Sequence, residues 1–376
     1  MILALDCREF TPGRITGIGR FLQNVLEEIA RNRPHLSTVA VAEPDSSIPV
    51  SAPHIRVVRL SAPFTLYYDQ VLLPRALRSV GSTAFFSPYY KAPLASSCPV
   101  VITIHDLILL QVSEYTRGLG RLYAAAFRRW ASLLANRAVA VITDSEFSKK
   151  QIITEIGLAA DKVHVFYLGV GDEFRPAHDP GRIALLASRY GITGAYFLAL
   201  GNFLPHKNFA RLVEAYSALP ETTQAQVKLV LAGSGSGHRL TSPVSLETLN
   251  LPGVLLPGFI AAEDLPTLYS NALAVVCPSL MEGFGYAPLE AMACGTPVVC
   301  SKAGPYPEVA GDAVLYVDPL NVSEMASALS RIIADESLRR ELSIRGLERA
   351  RLYDSHQTTK RLVDFLEGIA SGRKKA

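Results

Sequence analysis

Short apolar runs recur along this chain with amphipathic or glycine-marked segments between them, and this alternation constrains the fold more than any other feature. Residues 2–5, 39–42, 55–60, 84–87, 100–104, 139–143 and 163–170 read as strands. So do residues 196–200, 227–232, 254–256, 273–277, 298–301 and 314–317. Helical segments between successive strands imply parallel sheets, because a crossover rather than a hairpin turn must join them. At 376 residues the chain is too long for one ordinary core and suits two domains, and 49% hydrophobic content can pack both. The strand at 163–170 breaks into Gly171, Asp172, Phe174 and Pro176, a polar, proline-marked connection that reads as the domain boundary. A net charge of +3 is too small to imply a nucleic-acid partner.

Chemistry concentrates in residues 279–299, SLMEGFGYAPLEAMACGTPVV. An apolar strand leads into a loop holding Glu282, Gly283 and Gly285, and a short helix follows at once. Pro288 suits its first turn, while Gly295 and Pro297 end it. Strand, glycine loop and helix N-terminus together make an anion site, since glycines let backbone N–H groups approach a phosphate and the helix dipole favours negative charge. Glu282 and Glu290 stand eight residues apart, about 12 Å on one continuous helix. Paired hydrolytic carboxylates need roughly 5 to 9.5 Å. Glu282 lies in the loop, so the separation is not fixed, and the spacing gives a hydrolytic pair no positive support. A better division of labour has one carboxylate holding sugar hydroxyls and one, in the first helical turn, accepting two ribose hydroxyls. The plain alternative leaves Glu290 complementing the dipole and Glu282 as a solvated loop acid.

Glu282, Gly283, Phe284, Gly285, Pro288, Glu290, Ala291, Gly295, Pro297 and Val298 together resemble the Glu-x7-Glu motif of retaining glycosyltransferase family 4, the group-1 glycosyltransferases. The resemblance implies an α/β protein of the GT-B fold, two Rossmann-like domains with parallel sheets facing a central cleft. Residues 1–172 would bind acceptor and residues 173–353 the nucleotide sugar, and the last helix, 354–376, would cross back to the first domain. Gly201-Asn202-Phe203-Leu204-Pro205-His206-Lys207-Asn208 is similar to the family's donor-phosphate segment, which implies that Lys207 contacts the diphosphate. Many relatives carry arginine at the position of Asn202 or His206, so charge compensation is weaker here or His206 supplies part of it. Residues 257–260 resemble the base-binding turn and give Phe259 that role; core packing is the alternative. The loop 233–237 is placed to border the same cleft.

In the first domain, Gly13, Gly17 and Gly19 mark a loop at 11–19 ahead of a helix at about 20–31. The resemblance brings Gly17 and Gly19 close to the donor diphosphate or the acceptor. VVITIHDL is similar to the strand bearing the family's active-site histidine, which implies that His105 faces the donor sugar and that Asp106 orients its ring or contacts the acceptor. A helix at about 115–135 carries a stripe of Leu119, Leu122, Tyr123, Ala126, Phe127, Trp130, Leu133 and Leu134 flanked by arginines. It reads as a core helix with a solvated rim, or as a membrane contact through Arg121, Arg128 and Arg129.

The implied reaction moves a hexose from a nucleoside diphosphate sugar to a hydroxyl of a saccharide or lipid-linked glycan, with retention. The sequence around Gly17-Ile18-Gly19-Arg20 and Pro-His-Lys-Asn looks most like mannosyltransferases and points to GDP-mannose, with UDP-sugars open. No cofactor is implied, and no metal, for want of an Asp-x-Asp motif at a strand end. A sugar-phosphate enzyme of the same fold and a catalytically silent nucleotide-sugar binder are the competing readings. The five cysteines lack metal-ligand spacing and read as reduced core residues. No signal peptide or membrane span is expected, and a cytoplasmic enzyme follows.

Overall fold

The computed structural model describes residues 1–12, 16–233, 249 and 251–373 and divides into two compact units. Met1–Leu107, Ala125–Gly169 and Ser355–Ala376 form the first; Ile108–Ala124 and Val170–Asp354 form the second. Gly13 and the loop 234–237 lie outside the described residues.

The first unit is built on a seven-stranded parallel sheet: β1 (Ile2–Asp6), β2 (Ser37–Ala42), β3 (Ile55–Arg59), β4 (Ala84–Ser87), β5 (Val100–Thr103), β6 (Ala140–Thr143) and β7 (Val163–Val165). Its order is β3-β2-β1-β4-β5-β6-β7. The second unit has a six-stranded parallel sheet: β8 (Ala195–Leu200), β9 (Val227–Ala232), β10 (Val254–Gly258), β11 (Ala274–Cys277), β12 (Val298–Ser301) and β13 (Leu315–Val317), in the order β10-β9-β8-β11-β12-β13. The central strands β4, β5, β6, β11 and β12 are buried along their whole length, so they carry continuous apolar runs rather than alternation. In each sheet the chain moves outward from its first strand and returns on that strand's other side. Both sheets therefore have a switch point, β1/β4 in one and β8/β11 in the other, and ligands of open α/β sheets bind where such strands end.

Four helices matter for the site: α1 (Gly17–Asn32), α2 (Gly120–Arg137), α3 (Tyr286–Ala293) and α4 (Ser355–Ala370). The glycine loop expected to run to residue 19 is shorter than that, because Thr16 is the N-cap of α1 and its hydroxyl accepts from the N–H of Gly19. Gly17 and Gly19 therefore form the first helical turn. The C-terminal helix α4 returns to the first unit against α1, where Arg33 bridges Asp364 and Glu28. Backbone crosses between the units at 107/108, 124/125, 169/170 and 354/355, and there is no room for a side chain at Gly169, whose Cβ would stand 2.2 Å from Ser355 Cα. The run expected as a strand to 170 stops at Val165.

The basic helix also differs from expectation. It starts at Gly120, after a 3-10 turn over Ser113–Tyr115, because Gly118 takes a left-handed φ of 54° and a Cβ on Gly120 would lie 2.2 Å from the carbonyl oxygen of Tyr115. Its buried stripe is Ala124, Phe127, Ala131, Leu134 and Ala135. Leu119 is 80% exposed and Leu122 71%, and Tyr123 and Leu133 are exposed too, so these four do not pack in the core. All five cysteines are buried and free. Among the described residues no helix is long and apolar enough to cross a membrane.

Candidate active site

At the switch point of the second sheet, two loops leave adjacent strands and are stitched together. The loop after β8 begins at Gly201 (φ +156°), which lies against the Lys207 side chain, and a Cβ on neighbouring Gly233 would stand 1.7 Å from the Gly201 oxygen. Only glycine allows these two strand ends to approach so closely. The loop then makes a 3-10 turn, Pro205–Lys207, and Asn208 takes φ 59°. The Asn208 side chain donates to the carbonyls of Pro278 (3.0 Å) and Pro319 (2.7 Å), fixing it against the loop after β11. In return the N–H of Leu280 donates to the His206 carbonyl at 2.7 Å.

Across this seam Lys207 Nζ meets Glu282 Oε1 at 2.6 Å, and the Ser279 hydroxyl donates to the same oxygen at 2.7 Å. Burial pushes the Glu282 carboxyl upward, but Lys207, His206 and Ser279 outweigh it and hold the group below its ordinary value. The result is a fixed ion pair at the mouth of the glycine loop. Gly283, Phe284 and Gly285 are buried. Gly285 has φ +115°, and a Cβ there would stand 2.9 Å from the Tyr306 ring, so the turn into α3 requires glycine. Phe284 packs edge-on against Tyr286 and Tyr353.

Glu290 lies fifth in α3, in its second turn rather than the first, because the helix begins at Tyr286. It is 3% exposed, and the Tyr269 hydroxyl donates to its Oε2 at 2.7 Å. Dipole compensation at the N-terminus, the plain alternative, therefore does not account for its place. Asn202 is half-buried, with Oδ1 shut from solvent and without a partner among the described residues. Phe259 is 61% exposed and is not a core residue. His206 is buried, and its Nδ1 lies 2.6 Å from the Tyr115 hydroxyl. Burial, with a smaller push from Lys207, outweighs the pull of Glu282 and brings its pKa down to about 4, so the ring is neutral at physiological pH.

At the first sheet's switch point, Glu9 follows β1 and Tyr89 follows β4, and the Tyr89 hydroxyl donates to Glu9 Oε2 at 2.5 Å. The Thr16 hydroxyl donates to Glu9 Oε1, which ties the start of α1 to the same acid. His105 follows β5. Its Nδ1 lies 2.7 Å from Asp144 Oδ2, its Nε2 3.1 Å from the Pro88 carbonyl, and its ring meets Phe21 edge-on. Asp144, not Asp106, orients this ring; Asp106 is half-buried and acts on it electrostatically. Asp144 follows β6, and such an acid can be matched to a histidine only once β6 is known to lie beside β5. Burial alone would lower the His105 pKa, but Asp144 raises it further, and the net shift is upward.

The ring's two partners make this shift testable. A carbonyl can only accept, so Nε2 carries a proton, and the carboxylate favours a second one on Nδ1. A raised folded pKa contributes stability that is full below the unfolded value of about 6.5 and is lost as pH rises through the folded value. Asp144→Asn keeps the ring neutral and removes that contribution. Urea midpoints measured from pH 6 to 9 are expected to fall with pH in wild type relative to Asp144→Asn; parallel curves would refute the charged pair.

Two family models tile this chain: glycosyl transferases group 1 matches residues 191–349, and Glycosyltransferase Family 4 matches residues 15–174. The chain belongs to the group-1 glycosyltransferases of family 4. This glycosyltransferase is 28% identical over 368 residues to the O-antigen chain mannosyltransferase B of Escherichia coli, covering 93% of this chain and 95% of that protein. Its fold matches sucrose-phosphate synthase from Thermosynechococcus elongatus with a TM-score of 0.76 at 20% identity, over 99% of both chains. It also matches Anabaena HepE, solved in complex with UDP-glucose, with a TM-score of 0.77 at 21% identity, over 98% of this chain and 100% of that one. The architecture of the glycosyltransferase is GT-B. Its Arg128 pairs with Glu155 at 2.7 Å on an exposed surface, where such a pair contributes little stability.

Proposed function

We propose that this glycosyltransferase transfers mannose from GDP-mannose to a hydroxyl of a saccharide or lipid-linked glycan in envelope polysaccharide synthesis, with retention at the anomeric carbon and without a metal ion. The Lys207–Glu282 pair on the seam between the β8 and β11 loops carries the reading. A cation and a glycine loop at a sheet's switch point suit a diphosphate, and an acid beside them suits sugar hydroxyls. The mannosyltransferase relative supports the sugar.

In this reading the bond between the anomeric carbon and the phosphate oxygen breaks with its electron pair leaving on the phosphate. Lys207 and the N–H groups around Gly283 and Gly285 receive that charge. The acceptor oxygen forms the new bond from the same face, and its proton passes to the departing phosphate oxygen. Glu290 holds the ribose, and Phe259 lies against the base. Glu282 and His105 hold the sugar, with Asp106 toward the acceptor. Gly17, Gly19, Asn202 and His206 complete the donor contacts. A UDP-sugar donor is the second reading, favoured by the likeness to HepE, which binds UDP-glucose. A cytoplasmic location, with Arg121, Arg128 and Arg129 near an anionic membrane surface, belongs to the same proposal, to which the exposed Leu119 and Leu122 lend support.

Incubation with GDP-mannose and a mannan acceptor in EDTA is expected to yield GDP and an α-linked product by NMR. A β-linked product, or transfer only with UDP-glucose, would overturn retention or the donor assignment.

A further inference from the structure

His206 stands beside Lys207 at the end of the loop after β8, and two bonds hold it there. Its carbonyl accepts from Leu280 N–H, and its Nδ1 meets the Tyr115 hydroxyl at 2.6 Å with both side chains buried. Tyr115 is itself rigidly placed, since its N–H donates to Val112 and its carbonyl is pressed against Gly120. Residues 108–124 group with the second unit, and this bond is part of what holds them there. A buried neutral imidazole carries one proton, and the hydrogen bond at one nitrogen decides which tautomer is present. Nε2 has no hydrogen-bond partner among the described residues, and Lys207 and Glu282 are the charges that act on the ring.

We propose that Tyr115 is a positioning residue for donor binding: its hydroxyl donates to Nδ1 of His206 and fixes the Nε2–H tautomer, so that His206 offers the donor diphosphate an uncharged N–H. This rests on the donor reading above. Were the tautomer reversed, Nε2 would present a lone pair to an anion and repel it. Tyr115 thus acts on the donor through the orientation of His206 rather than by charge.

The test has two arms. ¹⁵N NMR of histidine-labelled wild-type protein is expected to show His206 Nε2 protonated and Nδ1 bare; a protonated Nδ1 overturns the proposal whether or not nucleotide binds. In GDP titrations Tyr115→Phe is expected to weaken binding about 5- to 10-fold, the loss of one neutral hydrogen bond's placement. In a His206→Ala background the same substitution should change affinity less than about two-fold. An equal loss in both backgrounds would mean that Tyr115 acts through general structure, and the proposal would fall. If wild type binds no nucleotide, the donor reading fails separately from the tautomer.

Discussion

Lys207→Ala is expected to lower kcat/KM by about 10²- to 10³-fold, the effect of removing one preorganised group aimed at charge that develops in the transition state. It carries a structural cost as well. Lys207 Nζ is 2.6 Å from Glu282 Oε1, and both side chains are largely buried. Removing one partner of such a pair leaves an uncompensated charge, a loss of about 3 kcal/mol here, the low end of the range for buried pairs because both side chains keep some exposure. The pH dependence separates this effect from simple loss of packing. Glu282 has a depressed folded pKa, so in wild type its contribution is present above the unfolded value of about 4.3 and is lost as pH falls through the folded value. Without Lys207 the largest cause acting on Glu282 is burial, which raises its pKa. The variant is then expected to lose its deficit in acid: the gap between urea midpoints should narrow as pH falls through the variant's raised value and close only below wild type's depressed one. A constant gap would contradict the assignment.

Glu290→Ala and Glu290→Gln are expected to part company. Both remove the carboxylate assigned to the ribose, and a hydrogen bond to a charged group contributes roughly 1.5–3 kcal/mol, so donor KM should rise about 10- to 100-fold in each. Alanine also removes the acceptor of the buried Tyr269 hydroxyl, which donates to Glu290 Oε2, at a cost of about 1–3 kcal/mol of stability. Glutamine keeps an acceptor there and should unfold within about 1 kcal/mol of wild type. A normal donor KM in Glu290→Gln would show that Glu290 is only Tyr269's internal partner.

The thirteen described strands were legible because most are buried parallel strands that carry apolar runs bounded by turns, and order within the sheet does not alter that signal. Lys207 and Glu282 were legible as separate motifs, and their contact was not, because it depends on β8 lying beside β11 with the partners 75 positions apart. Asp144 and Tyr115 were missed for the same reason. One sits beside His105 only through strand order, and the other reaches His206 from a segment that reads locally as the start of a helix. The basic helix misled because its apolar residues fit a stripe of helical period, while the face it buries runs through Ala124, Phe127, Ala131, Leu134 and Ala135 and leaves Leu119 and Leu122 in solvent. Local pattern reads element type; pairings across elements come from topology.

Calorimetric titration of GDP-mannose into wild-type protein and Lys207→Ala, in EDTA, tests the central assignment most directly. The account predicts saturable binding to wild type, weakened at least ten-fold in the folded variant. Unchanged affinity in Lys207→Ala, or no binding of GDP-mannose, GDP or UDP-glucose by folded wild type, would contradict it.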